Sequence, residues 1–277
     1  METLSTVRAH GGTQGVYKHA STATGTNMIF SVFVPDCAPG AKLPVVWYLS
    51  GLTCTHANVT EKGEYRAACA KHGLIFVAPD TSPRGECVAD DPAYDFGQGA
   101  GFYVDATEAP FADNFNMWSY VTDELPALLA AQFPADPMRQ SIMGHSMGGL
   151  GALTIGLTFP DRYKAVSAFA PIVAPSQVPW GEKALAGYLG ADREAWRKHD
   201  AVSLIQDGAR VPALLVDQGE ADNFLVEQLR PDLLAEACEN ANIDLTLRIH
   251  PGYDHSYYFI STVMAHQLDW HAAKLKA

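Results

Sequence analysis

Residues 141–150 read SIMGHSMGGL, and the pentapeptide Gly144-His-Ser-Met-Gly148 within them matches the pattern G-x-S-x-G. Residues 141–143, before the pentapeptide, form a short apolar segment that predicts a strand. Residues 148–159, which are rich in small side chains, predict a helix after it. A serine between such elements lies on a sharp turn that exposes its hydroxyl group. Glycines on both sides remove Cβ atoms that would collide in that turn. The pattern therefore predicts a nucleophile elbow with Ser146 as the nucleophile.

Outside this motif, apolar segments of strand length alternate with segments of helical character. The predicted strands are residues 28–34, 45–50, 74–78, 166–169, 213–216 and 245–249. The predicted helices are residues 60–72 (with Thr60 as N-cap and Gly73 just past the end), 115–133 and 256–275. This alternation predicts a three-layer α/β sandwich with a mostly parallel central sheet and helices on both faces, in one domain spanning 1–277. With the elbow, it indicates an α/β-hydrolase fold.

The composition restricts the classes of partner. Hydrophobic residues make up 48% of the 277 residues and charged residues 18%, and the formal net charge is −12. This charge argues against a nucleic acid or an anionic membrane as partner, because both require clustered Lys and Arg. No apolar run approaches the roughly 20 residues of a membrane span. The charge does not exclude an anionic small-molecule substrate, because a local basic patch can override the sign of the whole protein.

The cysteines and the amino-terminal segment indicate the compartment. The five cysteines are an odd number with no C-x-x-C spacing, which predicts free thiols and neither a disulfide framework nor a zinc site. The first 19 residues contain no apolar stretch typical of a secretory signal. We therefore expect a cytoplasmic protein without a metal.

The nucleophile needs a base and an acid, which follow it in the order Ser, Asp or Glu, His in this fold. His255 lies in the turn after the last predicted strand and is the favoured base, with His250 as its rival at the strand end. Asp222 lies past the turn that follows strand 213–216 and is the favoured acid, with Asp217 as its rival. The predicted triad is Ser146, Asp222 and His255.

Acyl transfer also requires N–H donors for the oxyanion. In this fold they come from the residue after the nucleophile, here Met147, and from the loop after an earlier strand, where we assign Leu52. His145 is expected to point away from the site. Segment 81–114 lacks periodicity, and a loop of this length in a compact domain is usually functional or mobile.

Several motifs together resemble the S-formylglutathione hydrolase (esterase D) family over nearly the whole chain. They are Ser50-Gly-Leu-Thr-Cys54 with Asn58 and Lys62, Ala78-Pro-Asp-Thr-Ser-Pro-Arg-Gly85, Gly144-His-Ser-Met-Gly-Gly149, Ala170-Pro-Ile172, Pro179-Trp-Gly-Glu-Lys183, Asp217-Gln-Gly219, Asp222-Asn-Phe-Leu225 and His250-Pro-Gly-Tyr-Asp-His-Ser-Tyr257. The resemblance implies hydrolysis of S-formylglutathione to glutathione and formate, a step of formaldehyde detoxification, through a formyl-serine intermediate. It also implies a cytoplasmic enzyme without metal or organic cofactor, and a homodimer. It agrees with the triad and oxyanion donors assigned above.

The resemblance also places Cys54 near the nucleophile, and modification of its thiol would then obstruct the acyl pocket. Trp180 is expected either to line the acyl or glutathione side of the pocket or to pack in the core. Lys62 and Arg84 are candidates for binding the carboxylates of glutathione. Two other interpretations stay open at this point: a general short-chain carboxylesterase or acyltransferase, and an inactive α/β-hydrolase that serves as a binding module.

Overall fold

A computed structural model describes residues 1–276, and its nine strands form one sheet in the order β1-β2-β3-β5-β4-β6-β7-β8-β9. The strands are β1 (Glu2–Ala9), β2 (Gly12–Ala20), β3 (Asn27–Pro35), β4 (Leu43–Leu49), β5 (Ile75–Pro79), β6 (Ala135–His145), β7 (Tyr163–Phe169), β8 (Ala213–Gly219) and β9 (Asp244–His250). Strands β5, β4, β6, β7, β8 and β9 pair in parallel. Strands β1, β2, β3 and β5 pair antiparallel. The predicted mostly parallel sheet is confirmed.

The helices alternate with the parallel strands. They are α1 (His56–Lys62), α2 (Arg66–His72), α3 (Met117–Ser119), α4 (Leu125–Gln132), α5 (Met147–Thr158), α6 (Pro179–Leu189), α7 (Arg193–Trp196), α8 (Ala201–Gln206), α9 (Pro231–Ala241) and α10 (Tyr257–Lys276). A π-helical turn, Tyr120–Glu124, joins α3 to α4, so the predicted helix 115–133 is present with a local irregularity. Short 3₁₀ turns lie at Phe111–Asp113, Pro175–Gln177 and Arg197–His199, and a π turn at Leu225–Leu229.

Strand β7 shows that helices cover both faces of the sheet. Successive side chains of a strand point to opposite faces. Ser167 bonds to Gln267 of α10 at 2.6 Å, whereas the next residue, Ala168, lies against Gly149 of α5. Helices α5 and α10 therefore sandwich the centre of the sheet, as predicted. The apolar side chains of β4 to β8 are almost all buried between these layers.

The predicted helix 60–72 is two helices, and its predicted N-cap was wrong. Thr55 caps α1: its hydroxyl accepts the Ala57 N–H, and the Asn58 side chain accepts the Thr55 N–H. Thr60 lies inside α1 and donates back to the His56 carbonyl oxygen. The break follows Lys62, whereas Gly73 does end α2 in a left-handed conformation, as expected.

The amino-terminal hairpin β1–β2 was not predicted. Strand β1 is exposed on both faces over nearly its whole length, so its sequence lacks an apolar period. It is held by the backbone ladder to β2, which in turn pairs with β3. Hydrogen bonding at a sheet edge, rather than burial of side chains, therefore specifies this element.

Segment 81–114 contains little regular structure, yet it is packed into the molecule. Phe102, Tyr103 and Val104 are buried, and Phe96 stacks on Tyr188 with ring centroids 4.5 Å apart. All five cysteines are free thiols, as predicted. Over residues 1–276, no helix combines the length and the apolar character that a bilayer span requires.

Candidate active site

Ser146 lies at the junction of β6 and α5 in a strained conformation, with φ 57° and ψ −119°. Non-glycine residues occupy this region only where the surrounding structure enforces it. A Cβ atom on Gly144 would lie 2.1 Å from the Gly148 carbonyl oxygen, and one on Gly148 would lie 2.0 Å from the Leu49 carbonyl oxygen. Both glycines are therefore needed for close approach of backbone segments, as the motif predicted.

His255 and Asp222 come together after the ends of β9 and β8. The Nδ1 atom of His255 lies 2.6 Å from Oδ2 of Asp222. The same carboxylate accepts the Gln218 side-chain amide at 3.1 Å and the Phe224 backbone N–H at 2.9 Å. These bonds fix the carboxylate, which in turn can hold the imidazole in one tautomer with Nε2 free to act as a base.

Ser146 and His255 line one pocket of about 190 Å³. Within residues 1–276 no hydrogen bond joins the two side chains. Catalytic hydrogen bonds are often long without substrate and shorten in the complex. The arrangement brings all three predicted triad residues to the carboxyl edge of the parallel strands.

The two rival residues, Asp217 and His250, pair with each other. Oδ1 of Asp217 lies 2.6 Å from Nε2 of His250. The buried carboxylate also accepts two bonds from Arg248, at 2.7 and 2.6 Å, and one from Gln267 of α10 at 2.8 Å. This second pair lies on the α10 face of the sheet, away from the pocket that contains Ser146. It is a buried ionic cluster that ties β8, β9 and α10 together.

Leu52 and Met147, the predicted oxyanion donors, both lie close to Ser146 along the backbone or in space. Neither of their N–H groups donates to an acceptor in residues 1–276. Leu52 lines the pocket, and a Cβ atom on the preceding Gly51 would lie 3.0 Å from Cβ of Ser146. Met147 follows the serine directly and begins α5. Two N–H groups without an acceptor in the described residues thus belong to segments next to Ser146.

Segment 81–114 holds the loop that carries Leu52. Gly99 accepts the N–H of Thr53 at 2.9 Å, and the Tyr103 hydroxyl donates to the Ser50 carbonyl oxygen at 2.8 Å. The Arg84 guanidinium donates to the Cys54 carbonyl oxygen at 3.0 Å. The loop is thus anchored on both sides of Leu52 by a segment whose role the sequence left open.

Three aromatic side chains, Tyr94, Trp180 and Phe224, line the pocket. The Trp180 indole N–H donates to the Tyr94 hydroxyl at 3.2 Å. The ring of Phe224 lies 4.6 Å from that of Trp180 and 5.1 Å from that of His255, measured between centroids. Sequence reasoning named Trp180 but missed Tyr94 and Phe224. Phe224 stands two residues after Asp222, whereas the aperiodic segment that contains Tyr94 carries no local signal of its position.

The expectation that His145 points away from the site was wrong. Its ring lines the pocket, with its centroid 4.5 Å from that of His255. Burial, and to a smaller extent the neighbouring His255, holds the pKa of His145 well below its usual range. His145 is therefore a neutral ring packed against the imidazole of His255.

Cys54 and Lys62 lie beside the pocket and do not line it. Cys54 is 9% exposed, and burial raises the pKa of its thiol to about 11. Lys62 ends α1 and lines an adjacent groove with Ser256 and Tyr257. Arg84, the other candidate for carboxylate binding, is paired with the buried Asp80 at 3.1 Å. In the part of the chain that the structure describes, no cluster of three or more His, Cys, Asp or Glu could hold a metal ion.

Comparison with known proteins identifies the family. A family model described as "Putative esterase" matches residues 21–277. An S-formylglutathione hydrolase of Paracoccus denitrificans (strain Pd 1222) is 53% identical over 274 residues, which are 99% of this chain and 98% of the relative. This chain belongs to the S-formylglutathione hydrolase family of esterases. A solved S-formylglutathione hydrolase structure from Agrobacterium tumefaciens is 58% identical, with a TM-score of 0.98 over 99% of this chain and 100% of that one.

More distant structures share the fold of the family. The fluorophosphonate-binding serine hydrolase F of Staphylococcus aureus is 17% identical, with a TM-score of 0.74 over 94% of this chain and 98% of that one. At this identity the similarity concerns the fold alone. The predicted α/β-hydrolase fold and the resemblance to the S-formylglutathione hydrolase family are both confirmed.

Proposed function

We propose that the protein hydrolyses S-formylglutathione to glutathione and formate, with Ser146 as nucleophile, His255 as general base and Asp222 as the acid that orients it. The observation that carries the catalytic assignment is the 2.6 Å bond between His255 and Asp222 at the pocket that contains Ser146. The thioester substrate is supported by full-length relatives that are named S-formylglutathione hydrolases.

In the first half of the reaction, His255 takes the proton of Ser146 and the hydroxyl oxygen bonds to the thioester carbon. The N–H groups of Leu52 and Met147 stabilise the negative oxygen, each by roughly 2.7–4 kcal/mol in comparable sites. The carbon–sulfur bond then breaks, and the sulfur leaves as thiolate, which receives the proton held on His255. A formyl ester of Ser146 remains.

In the second half, His255 takes a proton from water and the resulting hydroxide attacks the formyl carbon. The same two N–H groups stabilise the second oxyanion. The carbon–oxygen bond to Ser146 breaks, the serine recovers its proton from His255, and formate leaves. Asp222 stays ionised throughout and stabilises the imidazolium that forms twice in each cycle.

The pocket suits a small acyl group. Its volume of about 190 Å³ must hold the reacting carbonyl as well as the acyl substituent, and the packed rings of Trp180 and Phe224 are part of its lining. A formyl group carries only hydrogen on its carbonyl carbon. Longer acyl chains would have to displace these rings, so they should react more slowly although each methylene gains roughly 0.8 kcal/mol from burial.

Replacing Ser146 with alanine tests the nucleophile. Ser146→Ala should reduce turnover of S-formylglutathione by at least about 10⁴-fold and abolish labelling by a fluorophosphonate, because no other hydroxyl can form the acyl-enzyme. Ser141→Ala is the matched control, since its buried hydroxyl on β6 has no partner within residues 1–276. Retained labelling in Ser146→Ala would exclude this serine as the nucleophile.

Comparing kcat/KM for S-formylglutathione and p-nitrophenyl acetate tests the substrate. We expect the thioester to be preferred by a wide margin. A preference for the aryl ester, with slow thioester turnover, would instead support the general short-chain carboxylesterase. Thioesters of increasing acyl length, measured in parallel, would separate acyl selectivity from recognition of the thiol.

We further propose that residues 1–277 form one domain that works in the cytoplasm, as a homodimer, without metal or organic cofactor. Support for one domain comes from the single sheet that extends from Glu2 to His250. Five free thiols are consistent with a reducing compartment. Light scattering coupled to size exclusion measures the oligomeric state, and activity after dialysis against a chelator tests the independence from metal.

A further inference from the structure

A groove of about 540 Å³ adjoins the catalytic pocket on the His255 side. Its lining residues are Lys62, Glu64, Ser256, Tyr257, Tyr258 and Ser261. Ser256 follows His255 directly, and the ring of Tyr257 lies 6.0 Å from that of His145, which lines the catalytic pocket. The groove is therefore next to the loop that carries His255.

The groove carries one positive and one negative side chain, both exposed. Within residues 1–276, neither Lys62 nor Glu64 takes part in a salt bridge. Two other basic side chains are already paired with carboxylates: Arg84 with Asp80 at 3.1 Å and Lys183 with Asp95 at 2.5 Å. The two groove charges are thus available to a ligand.

The backbone explains why both charges face one groove. Helix α1 ends at Lys62, Gly63 follows, and Glu64 has a left-handed conformation with φ 52°. In a continuing helix, residues two positions apart would point to different sides. The interruption of the helix instead places Lys62 and Glu64 on the lining of the same groove.

The chemistry places the leaving group on this side. His255 must reach both the Ser146 hydroxyl and the departing sulfur, so the thiol portion of the substrate leaves past His255. Trp180 lines the same pocket, and we take it as the acyl wall, the side chain that faces the acyl group. An extended peptide covers roughly 3.3–3.6 Å per residue, so a leaving tripeptide can extend from the sulfur into the groove.

We infer that this groove binds the α-amino-acid end of the γ-glutamyl residue of the leaving glutathione. The Lys62 ammonium pairs with the α-carboxylate, and the Glu64 carboxylate pairs with the α-ammonium group. Tyr258, 86% exposed, also lines the groove, where its ring can contact the two methylene groups of the γ-glutamyl side chain. This assignment rests on the proposed function, because it takes glutathione as the thiol that leaves.

Paired inhibitors test the assignment without requiring thioester turnover. S-methylglutathione carries the α-amino-acid end, and S-methyl-N-butyrylcysteinylglycine lacks its two charged groups but keeps both methylene groups and the rest of the molecule. Each is titrated against hydrolysis of p-nitrophenyl acetate, and the ratio of the two inhibition constants is the readout. In the unmodified enzyme S-methylglutathione should bind roughly 10-fold more tightly, as two exposed charge pairs allow.

Lys62→Met and Glu64→Gln should each reduce that preference roughly 3-fold, and the double variant should abolish it. Lys198→Met, which removes another exposed lysine far along the chain, is the matched control and should leave the preference unchanged. An equal affinity of the unmodified enzyme for both inhibitors, or an unchanged preference in Lys62→Met, would overturn the assignment. Turnover of S-formylglutathione is measured separately, so its absence would refute the proposed function while the inhibition constants still decide the groove.

Discussion

The two Asp–His pairs allow a direct test of which one supports catalysis, because asparagine can replace the aspartate in each. Both pairs have the same 2.6 Å separation, but only the Asp222–His255 pair borders the pocket with Ser146. We expect Asp222→Asn to lose activity and keep most of its stability. We expect Asp217→Asn to lose stability and keep most of its activity.

The expected loss of activity in Asp222→Asn follows from the hydrogen bonds of the Asp222 carboxylate. Oδ2 accepts from His255 and Gln218, and Oδ1 accepts from Phe224, so all three partners are donors. An asparagine has one oxygen, and its NH₂ group must face at least one donor, at a cost of roughly 1–3 kcal/mol. If that NH₂ faces His255, the imidazole carries its proton on Nε2 and cannot take the Ser146 proton. The expected loss in kcat is roughly 10⁴-fold, or about 5.5 kcal/mol.

The expected loss of stability in Asp217→Asn follows from the burial of the Asp217 carboxylate. Its carboxylate is fully buried and accepts from Arg248, His250 and Gln267. Removing one charge of a buried pair costs about 3–5 kcal/mol, and the lower value applies here because Arg248 is 36% exposed. This cost corresponds to a decrease in Tm of about 6–12 °C. The kcat of the folded fraction should stay within about 3-fold of the unmodified enzyme.

The assay combines turnover of S-formylglutathione and p-nitrophenyl acetate, each normalised by the concentration of folded protein from circular dichroism, with thermal and urea unfolding. Normalisation separates loss of chemistry from loss of folded protein. A stable Asp217→Asn variant with kcat reduced 10³-fold, alongside an active Asp222→Asn variant, would refute the assignment and transfer the role to His250.

Three further perturbations are worth measuring. Burial lowers the pKa of His199 and His271 from 6.5 to about 3; the unfolded chain therefore binds more protons between those pH values, and the free energy of unfolding decreases as the pH falls through this range. Urea titrations at pH 7 and pH 5 measure this decrease. Between these pH values the free energy of unfolding of His199→Leu should decrease by about 2 kcal/mol less than that of the unmodified chain, and an equal decrease would contradict burial of the histidine as the cause. Gly148→Ala places a Cβ atom 2.0 Å from the Leu49 carbonyl oxygen and should reduce kcat by more than about 100-fold or prevent folding, as judged by circular dichroism. Trp180→Ala opens the acyl wall and should increase kcat/KM for p-nitrophenyl butyrate relative to the acetate by about 10-fold, as two buried methylenes allow, whereas an unchanged ratio would place the acyl group elsewhere.

Local patterns in the sequence were sufficient for much of the site. The elbow is a five-residue structure whose glycines are required by contacts of 2.0 and 2.1 Å, so its spacing can be read directly. The strands of the parallel sheet are buried on both faces, and their continuous apolar runs made them visible. The exposed strand β1 and the helix break at Gly63 lack such a signal, and both were missed or misplaced.

What the sequence by itself determined was the set of candidates: a nucleophile, two histidines, two aspartates and two loops in the order that the fold requires. Only the tertiary structure decided among them. Asp217 lies on β8, where strand pairing directs it to the α10 face and to His250, whereas Asp222 lies beyond the strand and reaches His255. The position of His145 beside His255 and the support of the Leu52 loop by segment 81–114 likewise join residues distant in sequence. Such contacts depend on the packing of several elements at once, and no local pattern of residues encodes them.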